Sequence, residues 1–217
     1  MTYLQLVNSV LRRLREDEAS SIENSNDSYV KLIGEFVNDA RRIVEDAWDW
    51  SALRSTITVT TTDDVFSYSM TGTNNSFKIL DVINDTSNFF MRSASSSWMN
   101  NAYLVQEPTK GSPEYYSWNG VDANGNALVD LYPKPDKAYT LRFNIVDRAD
   151  PFALDADKLV VPSSPVVQYA VALASRERGE TGGTSAQELF SLADTTLADA
   201  VAFDAARFPS ETVWTPC

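Results

Sequence analysis

Histidine is absent from this chain, and cysteine occurs once, as Cys217. The first absence removes Ser-His-Asp and Cys-His catalysis and every histidine-ligated metal site. The second removes any disulfide within the chain and fits a reducing compartment. Long apolar runs are missing as well. No stretch approaches the roughly 20 residues that cross a bilayer, so no membrane partner is expected. Arg12 and Arg13 follow the first apolar residues instead of preceding them, so the start is read as a helix and not as a secretion signal. There is no phosphate-cradling glycine loop, no dinucleotide fingerprint and no nucleophile elbow. No cofactor is implied. Basic charge is scarce: 18 Lys/Arg face 30 Asp/Glu, a net charge of −12. Such a surface does not grip a nucleic-acid backbone. The acid is uneven, with ten acidic against six basic side chains in residues 1–50, nine against seven in 51–146, and eleven against five in 147–217.

What is present is organised around Ser28–Trp50. Apolar residues recur there at Tyr29, Leu32, Ile33, Phe36, Val37, Ala40, Ile43, Val44, Ala47 and Trp48, the spacing of one helical face. Lys31, Glu35, Asp39, Arg42, Glu45, Asp46 and Asp49 fall opposite, and Asn26, Asp27 or Ser28 can cap the N-terminus. A helix this long, about 34 Å, needs partners. Thr2–Asp17 supplies one, with Tyr3, Leu6, Val7, Val10, Leu11 and Leu14 on one face and Thr2 and Gln5 spaced as a capping box. The far end supplies two more. Ser164 is read as the cap of a helix over Pro165–Arg178, with Val166, Tyr169, Ala170, Leu173 and Ala174 inward and Gly179 as its stop. After a Gly-rich turn at Glu180–Thr184, Ser185 and Glu188 form a second capping box for Ala186–Arg207, which presents Leu189, Phe190, Ala193, Leu197, Ala200, Val201 and Phe203.

Between these pairs the period falls to two. Ile57 and Val59 alternate with threonines, and Asp63-Asp64 turns the chain so that Val65–Ser69 returns. Gly72–Asn75 reads as a loop, Phe77–Ile83 as a strand, Asn88–Arg92 and Tyr103–Gln106 as weaker strands, and Ser93–Asn101 as a surface loop. Glu114–Trp118, the Asn124-Gly125 turn, Leu128–Tyr132 and Ala138–Arg148 complete an antiparallel set. The expected fold is α+β. A discontinuous helical bundle, residues 1–50 and 150–207, carries an inserted antiparallel β-sandwich or barrel-like domain, residues 51–149. An extended C-terminal arm follows at 208–217, where Pro209 ends the helix.

Candidate chemistry is thin. The carboxylate pairs Asp46/Asp49, Asp63/Asp64 and Asp155/Asp157 could hold a cation or move protons, but they read as solvated or loop-bound. Asp122 to Asn126 resembles a calcium loop without the closing glutamate, and a hairpin turn explains it better. Trp98, Tyr103, Tyr115, Tyr116, Trp118 and Tyr132 could form a sugar-stacking platform or pack the β core. Trp48 and Trp50 read as buried anchors at the helix–strand switch. The tail places Phe208, Val213 and Trp214 on a short polar segment, either a frayed end or an arm that orders on a partner.

Three segments carry a resemblance. MTYLQLVNSVLRRLRE, YVKLIGEFVNDARRIVEDAWDWSALR and LVVPSSPVVQYAVALASRERGE are similar to the two helical parts of head–tail adaptor (connector) proteins of short-tailed bacteriophages. The resemblance implies a structural virion protein with no catalytic, cofactor or metal residues. It implies a ring of twelve copies at the head–tail junction, bound to the capsid portal on one side and to a tail nozzle or tube on the other, with a tail fibre as a further partner. Viral DNA would pass through the lumen without specific binding, and the chain would be made in the host cytoplasm. Phe208, Val213 and Trp214 would dock on the portal. The competing reading is an aromatic-rich β module of a tail component that binds a glycan or receptor. A carboxylate-only hydrolase, with Asp63 as its test residue, is the third.

Overall fold

A computed structural model describes residues 1–71, 77–179 and 184–207, with the side chains of 184–186 set aside. The expected loop at Gly72–Asn75, residues 180–183 of the turn expected at Glu180–Thr184, the side chain of the expected cap Ser185, and the arm with Phe208, Val213 and Trp214 lie outside the described residues; the last helix already starts at Thr184, one residue before that cap. The chain divides into two compact units, one made of Met1–Ala52 with Pro151–Cys217 and the other of Leu53–Asp150.

The first unit is helical. Helix α1 (Tyr3–Arg13) starts at the Thr2/Gln5 capping box and buries Tyr3, Leu6, Val7, Val10 and Leu11. It stops before the expected Asp17, because Arg15 takes a left-handed φ of 60°. Asp27 caps α2 (Ser28–Ala47) by accepting the Tyr29 N–H at 2.8 Å. Helix α2 packs on α1 and on α4 (Ser163–Glu177), and α4 packs on α5 (Thr184–Ala205). The loop after Pro151 ties the sequence-distant halves together. Tyr3 N–H donates to the Asp157 carbonyl at 2.8 Å, and Ile22 N–H donates to Asp155 Oδ1 at 2.8 Å. Asn8 and Asn38 act as single rungs of a ladder. Each side-chain amide both accepts from and donates to one backbone residue, Ala19 and Phe152 respectively.

Several expectations are corrected here. Helix α2 ends at Ala47, since Trp48 is extended at φ −154°. Its buried stripe is Val30, Ile33, Gly34, Val37, Ala40, Arg41, Val44 and Glu45, rotated from the expected face. Tyr29, Leu32 and Phe36 are half-buried, and Ile43, Ala47 and Trp48 are exposed. The rotation brings in Glu45, expected outside, because it pairs with Arg41 at 2.6 Å and Arg41 lies over the Phe152 ring at 4.3 Å. Ser164 does not cap α4. Pro162, in an extended conformation at ψ 129°, precedes a helix that begins at Ser163, and Pro165 falls in its first turn. Gly179, at φ +77°, follows the end as expected. On α5, Phe203 points to solvent and Asp204 is buried in its place.

The second unit is an antiparallel sandwich closed by one short parallel pair. One sheet has the order β1 (Arg54–Thr60), β8 (Thr140–Asp147), β3 (Phe77–Asn84), β4 (Phe89–Phe90). The other has β2 (Ser67–Ser69), β7 (Ala127–Tyr132), β6 (Tyr115–Val121), β5 (Arg92–Ser93), with β5 parallel to β6. Val82, Leu141, Phe143 and Ile145 from the first sheet meet Tyr116, Val129 and Leu131 from the second in one core. The Asp63-Asp64 turn therefore does not make a hairpin: β1 and β2 enter different sheets. The Asn124-Gly125 turn does join β6 to β7, with Asp122 accepting the Asn124 and Asn126 N–H groups and Gly125 at φ +86°. The stretch expected as a surface loop folds into α3 (Ser96–Asn100), and Tyr103–Gln106 is not a strand but largely a turn of π-helix, Asn101–Val105. Buried Met99 and Ala102 explain why this Ser/Asn-rich segment is ordered.

Candidate interaction surfaces

The carboxylates expected as candidate acids have structural partners. Asp64 is held by Lys110 at 2.8 Å and Lys134 at 3.0 Å, with Asp63 3.6 Å from the same Lys110; those contacts hold the Asp64 carboxyl below its ordinary range. Asp157 accepts the N–H groups of Leu154 and Ala153, which lowers it too. For Asp155, burial works to raise the carboxyl, and hydrogen bonds from Ser21, Ile22 and Glu23 outweigh it, leaving it lowered. The Asn126 amide, Ser69 and the Asn126 N–H hold Asp122 down at about 2. That loop is a hydrogen-bonded turn, and no group of three or more His, Cys, Asp or Glu side chains converges as a metal site among the described residues. Asp46 sits exposed in the last turn of α2, and Asp49, just beyond its end, is half-buried.

The six candidate aromatics separate onto two faces. Tyr116 and Trp118 turn into the sandwich, where Tyr116 contacts Phe143 at 6.3 Å and Trp118 contacts Phe77 at 5.3 Å. Alternation puts Tyr115 and Tyr132 on the outer face. Trp98 of α3 packs against both, at 5.0 and 5.2 Å, and Tyr103 meets Tyr132 at 5.6 Å. Trp98 and Tyr103 each meet Tyr132 edge to face, Trp98 lies tilted against Tyr115, and Trp98 remains 40% exposed. Under this lid Ser117 and Asp130 oppose each other, both buried, and Asp130 Oδ1 has no hydrogen-bond partner. Burial first, then the nearby Asp130 charge, pushes the Tyr103 hydroxyl far above the usual phenol range; that hydroxyl donates to the Leu131 carbonyl. Leu104 and Val105, at the end of the same turn, are the most exposed large aliphatics of the unit.

In the helical unit Trp48 and Trp50 have different fates. Trp50 is fully buried and donates from Nε1 to the Val44 carbonyl at 2.7 Å, closing the end of α2. Trp48 is exposed on its ring face, and its Nε1 donates to Asp204 Oδ2 at 3.2 Å. Asp204 also accepts the Ser51 N–H at 3.0 Å and the Ser51 hydroxyl at 2.6 Å. Burial works to raise this carboxyl; the Ser51 and Trp48 donors outweigh it, and the result is a lowered value. Asp204 thus locks the last turn of α5 to the segment just beyond α2. Sequence reasoning missed it, since an aspartate at a core position of an apolar helix is read as solvent-facing. The only available signal was the Trp48-Asp-Trp50-Ser51 cluster of donors. Phe208, the first of the expected docking residues, follows four positions later.

The family model described as SU10 adaptor protein matches residues 1–213. No curated protein matches the chain.

Proposed function

The chain belongs to the SU10 adaptor protein family, a family of bacteriophage head–tail adaptors, and from that premise we propose that it forms the ring joining the capsid portal to the tail. It is a structural phage protein of the virion. In this reading twelve copies assemble under the portal, hold a tail nozzle or tube and a tail fibre below, and leave a channel for the genome. The residues beyond Arg207 act as the portal-docking arm, with Phe208, Val213 and Trp214 as its anchors. An acidic wall suits passage of DNA, because like charge keeps the backbone from sticking.

The observation that carries this reading is the family match over nearly the whole chain, both helical segments and the β unit included. The Asp204 lock supports the arm: a segment that must find a distant partner gains from a fixed point of departure. Mass photometry of the protein with its purified portal is the test. Cooperative appearance of a large ring on the portal is expected, and it is lost when the chain is cut after Arg207. Protein that stays monomeric in the presence of portal overturns the proposal. The exposed ring of Trp98 keeps a second reading alive, glycan binding by the outer face of the β unit. Glycan-array signal abolished by Trp98→Ala would promote it.

A further inference from the structure

The sandwich has four edges, and they are unequally guarded. Strands β2, β4 and β5 are edges of two or three residues, and short edge strands are one way sheets avoid foreign strands. Strand β1 is also an edge, but it has seven residues and pairs with β8 without a bulge. It contains no proline, no lysine and no inward-pointing charge, and Thr56, Thr58 and Thr60 are exposed in the folded chain. Thr61 donates to the Tyr139 carbonyl at 2.9 Å, one step beyond the Thr60–Thr140 pair. Hydrogen-bonded pairs alternate in an antiparallel ladder, so Val59, Ile57 and Ser55 also turn their backbone groups toward β8. The N–H and C=O groups of Thr56, Thr58 and Thr60 therefore face the open side.

We infer that β1 pairs antiparallel with β1 of a second copy of this chain, about a two-fold axis at Ile57, joining two four-stranded sheets into one. In that register Thr56 lies opposite Thr58, Arg54 opposite Thr60, Ser55 opposite Val59, and Ile57 opposite Ile57. The outward-facing backbone groups then meet each other, and the odd-numbered residues stay on the core side of both sheets. Threonine faces threonine across the junction, and no like charges are opposed. The observations select a second copy for two reasons. Head-to-tail pairing through sheet edges needs a second long free edge on the same chain, and the other edges among the described residues are too short. Each copy also carries net −12, yet residues 50–62 contain no acidic side chain, so the strand is where two acidic copies can approach. The inference concerns the free protein and does not rest on its place in the virion.

The test uses the full chain in a Cys217→Ser background. Ile57 is a non-hydrogen-bonded pair with its own counterpart, where side chains come closest. Ile57→Cys should give a covalent species of twice the chain mass on mild oxidation, and Val59→Cys should not. Sedimentation equilibrium of the wild type should show a dimer. Thr58→Pro removes only an outward N–H and spares the bonds to β8, so it should keep the circular dichroism spectrum and weaken the dimer about tenfold or more. Thr58→Lys gives the same answer if the proline variant does not fold. A wild type that is monomeric at every concentration reached overturns the inference. So does equal cross-linking at positions 57 and 59, or dimerisation unchanged in a folded Thr58 variant.

Discussion

The two units solve the same problem with different materials. The β unit is one contiguous stretch whose core is built from large side chains of two facing sheets, Phe143, Leu141, Ile145, Tyr116 and Leu131 among them. The helical unit is assembled from the two ends of the chain, and its interior admits charge. Arg41, Glu45 and Asp204 are all buried there, and Asn8 and Asn38 stand in for missing strands. A contiguous unit can rely on nonspecific apolar burial, because its pieces are never far apart. A unit made of distant segments must also choose which segment docks where, and buried polar pairs supply that choice.

The largest effect belongs to the β core. Phe143→Ala deletes a fully buried ring that touches Tyr116, and should cost about 4 kcal/mol. By differential scanning calorimetry the transition of the β unit should fall steeply, while the helical far-UV signal keeps its midpoint. A single merged transition that shifts as a whole would erase the comparison. Next comes Glu45→Ala, which takes from Arg41 a carboxylate 2.6 Å away in a site where both side chains are about 5% exposed. A buried guanidinium deprived of that partner should destabilise the helical unit by about 3 kcal/mol, measured by urea denaturation. Glu45→Met together with Arg41→Met should recover most of it. If the double variant also keeps a single cooperative transition, the ion pair is dispensable for choosing the docking partner.

These same residues mark where the sequence was legible. The capping box at Thr2, the Asp27 cap, the Gly179 stop and the Asn124-Gly125 turn could be read because each is a local interaction, fixed within four residues. The α+β class and the bundle-plus-sandwich build were legible from the switch of period at Ser55. The rotation of α2 was not. Hydropathy places Ile43 inside and Glu45 outside, and only the meeting with Phe152, over a hundred positions away, reverses them. Strand existence was legible, but pairing was not: nothing local says that Ser67–Ser69 leaves the sheet of β1. Nor does composition show that Ser96–Asn100 folds over Tyr115 and Tyr132, since the contacts of Trp98 with both rings and the burial of Met99 are made across the fold. Of the candidate surfaces, the six aromatics were read as one platform or one core, and their division between two faces needed the register.

Asp204 offers a smaller effect with a pH signature. Its folded carboxyl lies below its unfolded value, so its contribution is complete above the ordinary carboxylate range and is lost as pH falls through the folded value. Asp204→Asn should therefore lower stability by about 2 kcal/mol near neutrality and by progressively less as acid is added. The wild-type and variant urea midpoints should converge at low pH. Constant separation at all pH values would mean that shape, and not charge, holds Ser51 and Trp48. The buried carboxylate of the β unit, Asp130, lies on the other face of its sheet from the core around Phe143, so Phe143→Ala should show no such convergence.

The smallest effects come from two glycines, and they separate the units most cleanly. Gly125 sits at φ +86° in the hairpin turn, with nothing within 4 Å of where a Cβ would stand. Gly125→Ala should thus cost about 1 kcal/mol purely through backbone conformation, and no second-site change of a side chain can repair it. Gly34 is the reverse case. Its backbone is ordinary helix, and a Cβ there would overlap the Tyr3 hydroxyl, on a ring pinned against Phe152 at 5.3 Å. Gly34→Ala gains helix propensity but forces α1 away from α2, for a net loss of about 1 kcal/mol. Tyr3→Phe removes the overlapping oxygen, so the Gly34→Ala/Tyr3→Phe pair should be more stable than the sum of its singles predicts, by an amount a double-mutant cycle in urea can resolve. Strict additivity would place the cost of Gly34→Ala elsewhere, and the close approach of α1 to α2 would then owe nothing to this glycine.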